Sequence, residues 1–295
     1  MSSFTIKDLE NLSGIKAHTL RIWEQRYSFL KPSRSFTNIR YYSNDELKSI
    51  LNIALLNKYG YKVSHIDKMS EAEINDKILA LNQSEAQQER IINELIQAMI
   101  DMKMLEFEEV LNAFIQQRGI ERTLTQIIFP FLEKIGILWL TNHINPAQEH
   151  IVTNIIRQKI IVGIDRASSQ LHPEKTLLLF LPEGEYHELG LLLVFYLLKS
   201  RGAKVIYLGA NMPLKDVEYV IKATKPTHLY THLTTVAKNF NFEKFLGKLE
   251  LIAKNTPIII SGQQVSNLDK KVASNCHFKH SFAEVLSFVN NLSIS

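Results

Sequence analysis

The chain has 295 residues, 45 % hydrophobic and 22 % charged, with a formal charge of +4 and a single cysteine, Cys276. That length fits two or three compact domains of ordinary globular composition, and one cysteine excludes a disulfide framework or a thiolate metal cluster. The long apolar run from Leu189 to Leu198 is about half of what a bilayer crossing requires, so no membrane partner is expected.

The start, Met1-Ser-Ser-Phe-Thr-Ile-Lys, lacks the basic and apolar stretches of a secretory signal, and a cytoplasmic location is the expectation. A helix-sized segment, Ile6–Leu12, leads through Ser13-Gly14 into Lys16–Tyr27. On a helical wheel Leu20, Trp23 and Tyr27 share one face of this second segment, while His18, Arg21 and Gln25 point the other way. An apolar back and a basic, hydrogen-bonding front after a glycine turn is the layout of a helix-turn-helix recognition helix. Between Lys16 and Arg40 the cations Lys16, Arg21, Arg26, Lys31, Arg34 and Arg40 are opposed only by Glu24. Phosphates reward such an excess through counterion release. Lys31–Tyr42 is basic and short, suited to a wing hairpin, and Ser43-Asn-Asp-Glu46 has the spacing of a capping box.

Residues 76–168 are almost entirely of helix period, with polar joints near Asn82-Gln83-Ser84, Gly119 and 141–145. About four helices from residue 86 onward predict a bundle. Pro146 suits the first helical position, with Asn145 as cap and Gln148 as the third residue. Glu149 and His150 follow in that first turn, and Trp139 lies ten positions before Glu149. Bundle core for Trp139 and a dipole-suited pair for Glu149 and His150 remain an alternative reading.

From Thr176 short apolar runs alternate with amphipathic helices. Strands are expected at Thr176–Leu181, Lys204–Leu208, His228–Leu233 and Pro257–Ser261, with a short fifth near Cys276–Phe278. The intervening helices should run over about 187–201, 213–224, 239–253 and 281–292. This alternation predicts a doubly wound, flavodoxin-like parallel sheet, which binds ligands at the carboxyl ends of its strands. Glu185-Tyr-His187-Glu-Leu-Gly190 follows the first strand, Leu208–Pro213 the second, Thr231-His-Leu233 ends the third and Ser261-Gly262 the fourth. No GxGxxG turn is present, which argues against a dinucleotide.

These residues carry resemblances to known families. TIKDLENLSGIKAHTLRIWEQRY with KPSRSFTNIRYYSNDEL closely resembles the MerR winged-helix signature. It implies that His18, Arg21 and Arg26 of the recognition helix, with Arg34, Arg40 and Tyr41 of the wing, contact double-stranded DNA. The motifs of the last region resemble the cobalamin-binding domain family, whose pattern is DxHxxG, SxL and GG. That resemblance implies that His187 is the lower axial ligand of cobalt and Glu185 its orienting carboxylate. Gly190 and Gly262 would leave room for the nucleotide tail, and Thr231 would offer a hydroxyl to the tail's base. Glu185 replaces Asp, Thr231 replaces Ser and Ser261 replaces the first Gly, and only the last adds bulk near the tail.

The Trp139 to Glu149-His150 spacing resembles the cap bundle of cobalamin-dependent MerR regulators, the CarH/LitR class. It implies that all three residues line the upper face of the corrin. Light-responsive members carry His directly after the Trp, where this chain has Leu140, so a light-formed adduct is not expected.

The expected organisation is a winged-helix DNA-binding domain over 1–75, a linker over 76–85, a four-helix bundle over 86–170 and a cobalamin-binding α/β domain over 171–295. The expected function is non-enzymatic: a DNA-binding regulator and homo-oligomer whose assembly or DNA affinity responds to cobalamin, with adenosylcobalamin as the form that the resemblance suggests. Two alternatives stay open: a regulator whose cobalamin domain has degenerated into an assembly surface, and the corrinoid subunit of a methyltransferase or mutase.

Overall fold

A computed structural model describes residues 4–140, 145–167, 175–235, 240–265 and 275–294, excluding the side chains of 137–140 and 293–294. The chain divides into two compact units, 1–156 and 157–295.

The first unit opens with α1 (Ile6–Ser13) and α2 (Ala17–Arg26). Thr5 and Asp8 form a reciprocal capping box on α1, and Gly14, at φ 74°, takes the left-handed turn that ends it. Leu9, Leu12, Leu20 and Trp23 are buried, so these helices are fixed through their apolar faces. β1 (Ser33–Arg34) and β2 (Arg40–Tyr41) pair antiparallel as a minimal hairpin. α3 (Asn44–Lys58) starts at the expected capping box of Ser43 with Glu46. α4 (Val63–Ile66) and α5 (Glu71–Leu79) follow, so residue 75, where the first domain was expected to close, lies inside a helix.

α6 (Ser84–Ile100) and α7 (Met104–Arg118) pack against each other, followed by α8 (Ile120–Thr123), a π turn at Leu124–Ile128 and α9 (Phe129–Leu140). Pro130 cannot donate to a carbonyl one turn back, and its ring crowds that carbonyl. A widened turn just before it, with the Phe129 amide donating to the Leu124 carbonyl, relieves this crowding. α10 (Pro146–Arg166) begins with the Ala147 amide donating to Asn145 Oδ1 at 2.9 Å. It runs across the division between the units.

The second unit contains β3 (Thr176–Pro182), α11 (Leu189–Ser200), β4 (Lys204–Met212), α12 (Leu214–Thr224), β5 (His228–His232), α13 (Phe242–Ala253), β6 (Ile258–Ser261), β7 (Cys276–Lys279) and α14 (Phe282–Ile294). The five strands are parallel in the order β4-β3-β5-β6-β7, the flavodoxin-like order. β3 is buried almost throughout, as expected of a central parallel strand covered on both faces. The second strand was expected to stop at Leu208, yet β4 continues to Met212. Gly209 at φ 82° and Asn211 at φ 58° absorb extra residues as bulges where the β3–β4 register shifts.

Candidate functional site

On α2, His18, Arg21, Gln25 and Arg26 are exposed while Leu20 and Trp23 are buried, so the expected front and back of the helix hold. Trp23 packs edge-on against Phe29 at 6.0 Å between ring centroids, a core role. The hairpin is fastened to this helix by one carboxylate. Glu24 accepts from Arg34 at 2.8 Å through one oxygen and from Arg40 at 2.6 Å through the other. Burial opposes the charge on Glu24, but the two guanidinium groups outweigh it and hold the carboxyl below its ordinary range. Arg34 also donates to Asn38 Oδ1 at 2.8 Å, where φ of 64° turns the hairpin. Tyr41 is half-buried on β2. In the sequence Glu24 is only an opposing charge; its role as the wing's anchor depends on a fold that brings positions 34 and 40 together.

At the carboxyl edge of the sheet, the loop after β3 places Glu185 fully buried and His187 partly exposed. One Glu185 oxygen accepts from the His187 amide at 2.9 Å and lies 2.7 Å from His187 Nδ1. The other accepts from the amides of Thr234 and Thr235, at 2.9 and 2.8 Å, in the loop after β5. The carboxylate therefore joins the loops of two adjacent strands, β3 and β5, at the point where the strand order reverses. Burial works against its charge, but the His187 ring, with the His187 and Thr235 amides, holds the carboxyl below its ordinary range. Asn211 completes the loop, its amide donating to the Glu185 carbonyl at 3.0 Å and its side chain accepting from the Gly184 amide at 3.0 Å.

The other expected residues fall on two faces of the sheet. Thr231 is in register with Phe180 and Ile260, both part of the apolar core beneath α12 and α13. It is buried there, and its hydroxyl oxygen has no hydrogen-bond partner. Ser261 is in register with His232, on the opposite face. Its hydroxyl lies 2.8 Å from His232 Nδ1 and 2.6 Å from the Tyr230 hydroxyl. Gly190 belongs to the Ser261 side: a β-carbon added there would stand 2.4 Å from His232 Nε2. Gly262, at φ 105°, lies under the Leu233 backbone, whose carbonyl oxygen would be 2.3 Å from an added β-carbon. Gly190, Ser261 and the unexpected His232 are thus gathered on one face, and Thr231 is not among them. Burial draws the His232 imidazole down to about 4, leaving it neutral.

In the first unit, Glu149 is partly buried and His150 exposed, both in the opening turn of α10. Gln148 beside them is buried and donates to the Met99 and Ile100 carbonyls at 3.2 and 3.0 Å, closing the end of α6. Trp139 is part of α9, but its side chain lies outside the described residues. Among the described residues no group of three metal-ligating side chains occurs, and no helix is long and apolar enough to cross a membrane.

Residues 4–73 match the MerR HTH family regulatory protein model, and residues 91–162 match the B12 binding domain model. The chain is 24 % identical over 270 residues to the HTH-type transcriptional repressor CarH of Myxococcus xanthus, covering 88 % of this chain and 89 % of that protein. It is 29 % identical over 223 residues to the repressor CarA of the same organism, covering 75 % and 73 %. Its fold is similar to that of the monomethylamine corrinoid protein of Methanosarcina barkeri, with a TM-score of 0.57 at 13 % identity, over 70 % of this chain and 99 % of that one.

Proposed function

We propose that this chain, a MerR-family regulator that carries a cobalamin-binding domain, represses transcription in the cytoplasm and changes its assembly and its hold on DNA when cobalamin binds at His187. The single observation that carries the ligand part is the Glu185–His187 pair at the sheet's carboxyl edge, 2.7 Å apart. A buried carboxylate on Nδ1 fixes the ring and directs Nε2 as the donor, the arrangement by which neighbouring acids prepare histidines for metals. The residues therefore suit a corrinoid at its lower axial position. The bound group would supply a coordination centre and a large flat ring; the chain supplies an oriented nitrogen and loops held together by Glu185.

The upper side is assigned by pattern. Trp139, Glu149 and His150 are proposed to meet the corrin because their spacing matches the cap of cobalamin-dependent MerR regulators and the B12 domain match spans them. His18, Arg21 and Arg26 are proposed to read or grip double-stranded DNA, with Arg34, Arg40 and Tyr41 setting the wing on its backbone. Glu24 supports this division of roles by holding the wing arginines beside the reading helix. Paired half-sites require paired readers, so a homo-oligomer is part of the proposal, with adenosylcobalamin as its effector.

Titrating hydroxocobalamin into the purified chain, followed by absorbance, tests the ligand site. The expected result is saturable binding with a spectral change that His187→Ala abolishes. A wild-type protein that leaves the spectrum unchanged at saturating protein overturns the assignment.

A further inference from the structure

Resting on the corrinoid reading above, we propose that His232 fills the slot beside Gly190 with its own imidazole, so that the chain holds a corrin ring through His187 without housing the nucleotide tail. Gly190 opens α11 with no side chain, and the space above it is taken: Nε2, Cδ2 and Cε1 of His232 lie 2.4, 2.6 and 2.9 Å from where a β-carbon would stand. The ring is not a loose occupant. Its Nδ1 is engaged with Ser261 at 2.8 Å, and Ser261 is in turn engaged with the buried Tyr230 hydroxyl at 2.6 Å. Tyr230 stacks on Phe288 of α14 at 6.3 Å. A hydroxyl has one proton to give, and this one already serves two neighbours.

The second glycine offers no alternative space. Gly262 is in contact with the Leu233 backbone, which is itself tied by its amide to the Ser261 carbonyl at 2.8 Å and by its carbonyl to the Gln264 amide at 3.1 Å. Backbone bonded in this way cannot move aside as a side chain can. A planar, neutral azole with a serine on one nitrogen occupies this face, much as a nucleotide base would.

The consequence is a reversed preference among corrinoids. For cobalamin to bind His187, the cobalt–benzimidazole bond breaks as the cobalt–imidazole bond forms, and the freed base gains nothing if its slot is full. Cobinamide lacks the nucleotide and has no such bond to lose. Dark absorbance titrations with aquacobinamide and hydroxocobalamin, on the wild-type chain and on His232→Ala, test this. The wild type is expected to bind cobinamide about tenfold more tightly, and His232→Ala to tighten cobalamin about tenfold while leaving cobinamide within about twofold.

Wild-type protein that prefers cobalamin, or a preference that His232→Ala leaves untouched, overturns the proposal. His232→Asn, which keeps a partner for Ser261 in less volume, serves if the alanine variant does not fold. Binding of neither corrinoid by the wild type is a separate result: it removes the cobalamin reading itself, and this proposal with it.

Discussion

Glu185 is a single side chain with two duties, and they can be separated by experiment. Through one oxygen it positions His187; through the other it clasps the amides of Thr234 and Thr235. Glu185→Gln replaces one acceptor with an NH2 group that must face a donor, and the buried mismatch is expected to cost about 2–3 kcal/mol in denaturant unfolding. The carboxyl is held below its ordinary value in the fold. Its contribution is therefore fully present above the unfolded pKa of about 4.5 and is lost as pH falls through the lower folded value. Unfolding free energies measured from pH 7 down to pH 3 should show this acid loss in the wild type and a shallower one in Glu185→Gln. Glu24 makes a parallel case at the other end of the chain. Glu24→Gln removes the wing's anchor but no phosphate contact, so DNA affinity is expected to fall about threefold with an unchanged salt slope. Arg21→Ala, by contrast, is expected to lower affinity and flatten the slope or relax sequence preference. Anisotropy titrations at several salt concentrations measure both.

Among the elements, periodicity and caps were legible in the sequence wherever the determinants are local. The 3.6-residue pattern of α2 and the Ser43–Glu46 box are set by residues within one or two turns, and the alternation of apolar runs with helices gave a parallel sheet that is found in the expected order. What escaped depends on distant partners. The extension of β4 past Gly209 needs β3 beside it. The π turn before Pro130 is a local exception that hydrophobic period does not signal, and α5 continues to Leu79, inside the expected linker over 76–85 but short of the polar joint at Asn82-Gln83-Ser84. The site follows the same rule. The Glu185–His187 pair, two residues apart, was legible; His232 over Gly190 was not, because its position follows from strand register across 42 residues of chain. Gln148 shows how one element end supports another. Gln148→Leu leaves the Met99 and Ile100 carbonyls without their donor and is expected to cost about 1–2 kcal/mol, readable as a lower denaturation midpoint. Lys134 makes a similar link inside the first unit, donating from α9 to the Leu12 carbonyl at the end of α1, 3.2 Å away. Burial lowers its pKa, so the buried amine is a costly link.

In the whole molecule, the proposed DNA reader and the proposed ligand site belong to one chain, and linkage makes a connection between them measurable. A ligand that binds only the folded chain stabilises it by about 2.7 kcal/mol at a hundredfold excess over its Kd. Cobalamin should therefore raise the unfolding midpoint of the wild type and not that of His187→Ala. A change in assembly should appear as a ligand-dependent mass, since the proposal places the reader's affinity under the control of pairing. The most direct measurement combines these ends. A duplex selected from a random pool by the wild-type protein is titrated by fluorescence anisotropy, at fixed salt and in the dark, with and without adenosylcobalamin. The ligand is expected to shift the wild-type DNA affinity at least about fivefold and to leave His187→Ala unmoved. Identical affinities with and without saturating ligand in the wild type would contradict it.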